Sequence, residues 1–148
     1  MAKFLYRMQN VLDVKLKMED QAKTIFSQAM MKLNEEEEKL QILYNRRDAY
    51  EDQGRSLRET VLNIIALKEN AAALENLKGQ IDVQTVNVDK AKESVEIARG
   101  KLQVAMQERK TQEKLKENAF EEFKRELNAA ESKEVDELVS YRHGRKTE

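Results

Sequence analysis

The sequence predicts an all-α fold: two long helices forming an antiparallel coiled-coil hairpin with a short helical apex region. Three observations carry this expectation. Apolar residues recur at alternating spacings of three and four over most of the chain; proline and cysteine are absent; charged residues make up 37% of the 148 residues and aromatics only 5%. A three-four spacing keeps one narrow stripe on one side of a helix, which is the seam of a coiled coil. So few large side chains cannot fill a thick globular core, but they suffice for a seam. A disordered tract has no reason to hold such a phase. A single coiled-coil domain over 1–148 follows.

The first arm is expected over about residues 3–52. Its seam frame starts at Leu5, Met8 and Leu12 and continues through Tyr50 to Ala71, with 14 of 20 positions apolar or tyrosine. The exceptions are Lys15, Glu19, Glu36, Arg47, Gly54 and Lys68. The apex is expected over about 53–79. Gly54 falls on a seam position and weakens a helix by about 1 kcal/mol relative to alanine. Ser56-Leu57-Arg58-Glu59 then has the form of a capping box that would start a new helix. Leu57, Val61, Leu62, Ile64, Ile65, Ala66 and Leu67 are too dense for a two-stranded seam and suggest a further packing partner, and Gly79 offers a second break.

The second arm is expected over about 80–142. Its stripe, which begins within the apex, reads Leu74, Leu77, Ile81, Gln84, Val88, Ala91, Val95, Ala98, Leu102 and Ala105, weakens at Arg109, Gln112 and Lys116, and resumes at Phe120, Phe123 and Leu127. The consecutive four-residue steps from Gln112 to Phe120 amount to a stutter. A frayed basic tail over 143–148 should follow, with Gly144 ending the helix. A continuous helix pairing with a second copy is the alternative; the glycines and the capping box favour the hairpin.

Constellations for catalysis are missing. The only histidine, His143, lies in the tail, and without cysteine there is no disulfide scaffold, thiolate nucleophile or thiolate zinc site. Gly100-Lys101 is followed by leucine and lacks the earlier glycine of a phosphate-binding loop. The glutamates at 35–38 diverge around a helix instead of converging on an ion. No enzymatic activity and no cofactor are therefore expected. A net charge of −1 speaks against a nucleic-acid partner. The chain shows neither a secretory signal nor a stretch long enough to span a membrane, so a soluble protein without direct membrane insertion is expected.

Two surface features stand out. Tyr44, Arg47 and Tyr50 recur at i, i+3 and i+6 close to the apex, and tyrosine and arginine are enriched in docking patches. The alternative is packing against the second arm. Both ends of the chain carry a basic excess, which a hairpin would bring together as a basic tip suited to a narrow ring of partner subunits.

The ends also carry a family resemblance. Phe4-Leu5-Tyr6-Arg7-Met8-Gln9-Asn10-Val11-Leu12-Asp13-Val14-Lys15 resembles the aromatic-x-aromatic-Arg-x-Gln opening of the flagellar FliJ family, and Lys133-Glu134-Val135-Asp136-Glu137-Leu138 is similar to its Lys-x-x-Asp-Glu-hydrophobic ending. The likeness extends in length and heptad layout over essentially the whole chain. It implies a cytoplasmic stalk at the inner face of the cell membrane at the flagellar base. Its paired termini would enter the hexameric ring of the type III export ATPase, and the stalk would promote ring assembly, contact the cytoplasmic domain of the export gate and handle export chaperones. Carried onto this chain, the ring-contacting tip comprises Phe4, Tyr6, Arg7, Gln9, Leu12, Lys15, Lys133, Asp136, Glu137 and Leu138. The gate contact is expected at Leu43, Tyr44, Arg47 and Tyr50. The equivalent stalk of a virulence-type secretion system and a generic coiled-coil scaffold remain as alternatives.

Overall fold

The structure is a computed structural model that describes residues 2–60 and 63–146. It contains two helices, α1 (Gln9–Glu59) and α2 (Ile64–Lys146). The chain divides into a terminal unit, Met1–Asp20 with Val104–Glu148, and a second unit, Gln21–Gln103. Within each unit α1 and α2 run antiparallel. Cross-helix pairs show it: Lys15 with Glu108 and Gln9 with Lys116 in the terminal unit, Glu36 with Gln84 and Tyr50 with Asn70 in the other. The expected hairpin is the observed fold.

Helix ends differ from the sequence expectation, for local reasons. Helix α1 starts at Gln9, not near Lys3, and the segment before it is not helical. Gly54 does not break α1, and Ser56 does not cap a new helix. Ser56 lies in the last turn, where its carbonyl accepts from the Thr60 hydroxyl at 3.1 Å. Asn63 caps α2 instead: its Oδ1 accepts from the Ala66 amide at 3.2 Å, a bond that typically contributes about 1 kcal/mol. Gly79, Gly100 and Gly144 all lie inside α2. Val61 and Leu62, part of the apolar run expected at the apex, lie outside the described residues, as do Thr147 and Glu148.

The stripe on α2 is the buried one. In the second unit Leu77, Ile81, Val88, Ala91, Val95 and Ala98 are buried, with Gln84 among them; in the terminal unit Ala105 is. Every one was expected from the spacing. On α1 most seam residues are half-buried, because a two-helix seam has covering atoms on one side only. Leu12 is the buried apolar residue of that helix.

Four of the five non-apolar seam positions of α1 meet a side chain of α2. In the terminal unit Lys15 donates to Glu108 at 3.0 Å, and the buried Glu19 pairs with Arg109, which also reaches Glu113 at 2.9 Å. In the second unit Gln84 donates to the backbone carbonyl of Glu36 at 2.8 Å and also to its carboxylate. Gly54 leaves a slot for the side chain of Asn70, whose amide donates to the Tyr50 carbonyl at 2.8 Å. A polar group in a seam is costly unless satisfied, so such pairs select one register over slipped ones.

Glu36 also makes the seam sensitive to acid. Lys32 donates to its carboxylate at 2.8 Å, Gln84 adds a second hydrogen bond, and Lys39 stands 3.7 Å away. The Lys32 and Gln84 hydrogen bonds lower its pKa from 4.5 to about 2. A depressed folded pKa gives stability that is complete above the ordinary value and is lost as pH falls from about 4.5 towards about 2. Melting temperature is therefore expected to fall through that window, and to fall less steeply in Glu36→Gln. Parallel pH profiles for the two proteins would contradict this.

Candidate functional site

Residues 2–8 precede α1 as a non-helical strap, and burial alternates along it. Phe4 and Tyr6 are half-buried; Leu5 and Arg7 are exposed. Alternation with period two is the signature of extended chain lying on a surface. That surface is α2. The Phe4 ring meets Phe120 edge-on at 5.1 Å between centroids and Phe123 at 5.5 Å. Such aromatic pairs contribute about 0.5–1.5 kcal/mol each beyond their burial. The Tyr6 hydroxyl donates to Gln112 at 3.3 Å, and Lys116 donates to Gln9 at 2.7 Å. The Gln9 amide in turn donates to Asp13 at 2.9 Å.

This geometry sorts the residues expected at the tip. Phe4, Tyr6, Gln9, Leu12 and Lys15 are brought together, but their side chains are used on α2: they build the end of the terminal unit. Arg7 is left exposed. Lys133, Asp136, Glu137 and Leu138 do not join them. Helix α2 continues past the strap, and every residue from 128 to 144 is exposed. The expectation that the two motif segments meet side by side is corrected by helix length. The strap packs on Phe120 and Phe123, more than a turn before Lys133, so α2 runs on beyond the strap there.

The exposed surface at this end is apolar as well as charged. Leu5 is 79% exposed on the strap, and Val135, Leu138 and Val139 are 57%, 63% and 48% exposed on the projecting helix. Leu5, Val135 and Val139 are exposed apolar residues outside the set expected at the tip. The seam frame absorbed Leu5, while Val135 and Val139 flank the motif residues. An i, i+3, i+4 spacing of Val135, Leu138 and Val139 was the available signal.

The second unit holds the other expected patch. The Arg47 guanidinium lies 4.9 Å from the Tyr44 ring centroid, a cation–π contact within α1. Its Nε is buried without a hydrogen bond and stands 3.9 Å from the carboxylates of Asp48 and Glu51. Leu43 and Tyr44 are half-buried and Tyr50 is 37% exposed. A groove runs from Arg47 and Glu51 across to Leu74, Lys78 and Ile81 of α2. The four expected residues thus share one unit, where Arg47 lines the groove and touches Tyr44.

Comparison with known proteins gives two matches. The family model described as "Flagellar FliJ protein" matches residues 4–148. A solved structure of a YscO homolog, CT670, from Chlamydia trachomatis is similar, with a TM-score of 0.77 and 25% sequence identity over 95% of this chain and 96% of that one. No curated protein matches the chain.

Proposed function

Because the chain belongs to the flagellar FliJ protein family, we propose that it is a non-catalytic stalk of a type III export apparatus, inserting its terminal unit into the ring of the export ATPase. The observation that carries the reading is the construction of that unit. A strap and a helix end are tied together by Phe4, Tyr6 and Gln9, and α2 projects beyond them with an exposed apolar stripe. In this reading Arg7, Leu5, Lys133, Val135, Asp136, Glu137 and Leu138 touch the ring, and Phe4, Tyr6, Gln9, Leu12 and Lys15 shape the end that does so. One asymmetric two-helix end cannot make six equivalent contacts. It biases the subunits of a ring into different states, which favours assembly and sequential turnover.

Leu43, Tyr44, Arg47 and Tyr50 are the proposed contact for the cytoplasmic domain of the export gate, and export chaperones are further partners. Among the described residues no helix is long and apolar enough to cross a membrane. The proposed position, peripheral at the inner face of the cell membrane, then depends on docking to the gate.

Titrating the purified chain into the cognate ATPase tests the stalk reading. Rising hexamer fraction and ATP turnover are expected, both lost in Val135→Asp/Leu138→Asp, whose substitutions lie on exposed positions and spare the fold. Unchanged oligomerisation and turnover with the wild-type chain would overturn it. The likeness to a YscO homolog favours a second reading, a stalk of a virulence-type system. Loss of motility in a deletion strain separates the flagellar reading from loss of effector secretion alone.

A further inference from the structure

Nothing local in the sequence stops α1 at Gln9. Met8 holds the cap position, where its carbonyl accepts from the Leu12 amide at 3.1 Å, but methionine offers no side-chain oxygen to the free amides of the first turn. That turn carries no acidic residue, and residues 2–8 contain neither proline nor glycine. The chain is already turned at the junction, since the Gln9 amide donates to the Tyr6 carbonyl at 3.1 Å. What keeps the strap out of the helix is therefore its contact with α2: Phe4 on Phe120 and Phe123, and Tyr6 on Gln112.

The strap leaves two seam residues unused. Leu5 and Met8 continue the three-four frame of α1 towards the terminus, yet they are 79% and 43% exposed. The antiparallel register fixes where they would lie in a helix. Gln9 meets Lys116 and Lys15 meets Glu108, so the residue one turn before Gln9 stands opposite the residue one turn after Lys116. A helical Leu5 thus faces Phe120, the ring that Phe4 now covers at 5.1 Å between centroids. Phe4 and Tyr6, one step to either side of Leu5, would then point about 100° away from the seam. The two arrangements compete for one ring, so the chain holds one or the other.

We propose that residues 2–8 are a two-state latch. In the strap state Phe4 and Tyr6 are spent on α2 and Leu5 faces outward. In the second state α1 extends towards the terminus by about two turns, Leu5 and Met8 enter the seam, and Phe4 and Tyr6 become the outward side chains. The latch exchanges an aliphatic surface for an aromatic one at the end of the terminal unit. A partner that engages one of these surfaces selects that state. The inference rests on contacts inside the terminal unit and does not require the ATPase.

Backbone chemical shifts of the full-length chain test it in four proteins: wild type, Leu5→Gln, Phe4→Gln/Tyr6→Gln and the triple variant. Glutamine removes the ring and seam contacts with little change in helix propensity. Wild type and Leu5→Gln should both show extended Cα shifts at residues 3–6, because Leu5 is exposed in the strap. Phe4→Gln/Tyr6→Gln should reverse those shifts to the helical sign. The triple variant should lose the reversal, since its residue 5 gains nothing by entering the seam. Unchanged shifts through the rest of α1 verify that each variant keeps the hairpin. Extended or random-coil shifts at residues 3–6 in Phe4→Gln/Tyr6→Gln would overturn the proposal. So would helical shifts that persist in the triple variant, because propensity alone would then form the helix.

Discussion

Replacing Gly54 with leucine should destabilise the hairpin by about 3 kcal/mol, although leucine is the better helix former. The propensity gain is below about 1 kcal/mol. Against it stands the space that Asn70 occupies. A Cβ on residue 54 would lie 2.7 Å from Asn70 Oδ1, closer than real side chains approach. Asn70 is 7% exposed and held by its bond to the Tyr50 carbonyl, so it yields only by giving up that bond. Overpacking of this kind costs about 1–3 kcal/mol, and a buried amide left without its partner about 1–3 kcal/mol more. A double-mutant cycle isolates the contact. Asn70→Ala should destabilise the wild-type chain but stabilise the Gly54→Ala variant, where it removes the clash. Denaturant unfolding measures all four proteins, and additive effects would refute the account of Gly54.

Leu77→Ala should cost about 2–5 kcal/mol, since it removes a large apolar side chain that is 5% exposed. A two-helix seam has no second layer to relax into the gap, but water reaches it easily, which favours the lower half of that range. The same change at Leu115, which is 45% exposed, should cost far less. Urea midpoints for the two variants decide the matter. Similar shifts would mean that α2 is not buried along the stripe from Leu74 to Ala105.

That stripe was fully legible in the sequence, because burial along α2 follows the three-four spacing almost residue by residue. The polar seam positions were legible as interruptions but not as pairs. Glu19 and Arg109, or Glu36 and Gln84, lie far apart in sequence, and only the antiparallel register reveals that each answers the other. Gly54 was read as a helix breaker on its propensity alone, yet a cost of about 1 kcal/mol is easily outweighed by continued packing. Its role is to leave room for Asn70, a contact across the turn that no local pattern encodes. Ser56 heads a capping-box pattern, yet the observed cap of α2 is Asn63. The seam phase running on past Ser56 was the clue that no helix starts there.

At the terminal unit, the sequence singled out Phe4 and Tyr6 but did not show that both side chains are spent on α2. The frame beginning at Leu5 and Met8 hid the period-two strap, in which Phe4 and Tyr6 face α2 and Leu5 faces out. Placing Lys133 and Leu138 opposite that strap assumed arms of equal reach. The 51 residues of α1 and the 83 of α2 show that the two arms differ in length.

The chain contains no cysteine, so single introduced thiols carry a photo-crosslinker without background. Arg7→Cys, Lys133→Cys and Arg55→Cys, each labelled and mixed with the cognate export ATPase, test which end enters the ring. Crosslinks from positions 7 and 133, with none from position 55 near the turn, are the predicted result. Crosslinks from position 55 with none from 7 or 133 would contradict the placement of function at the terminal unit.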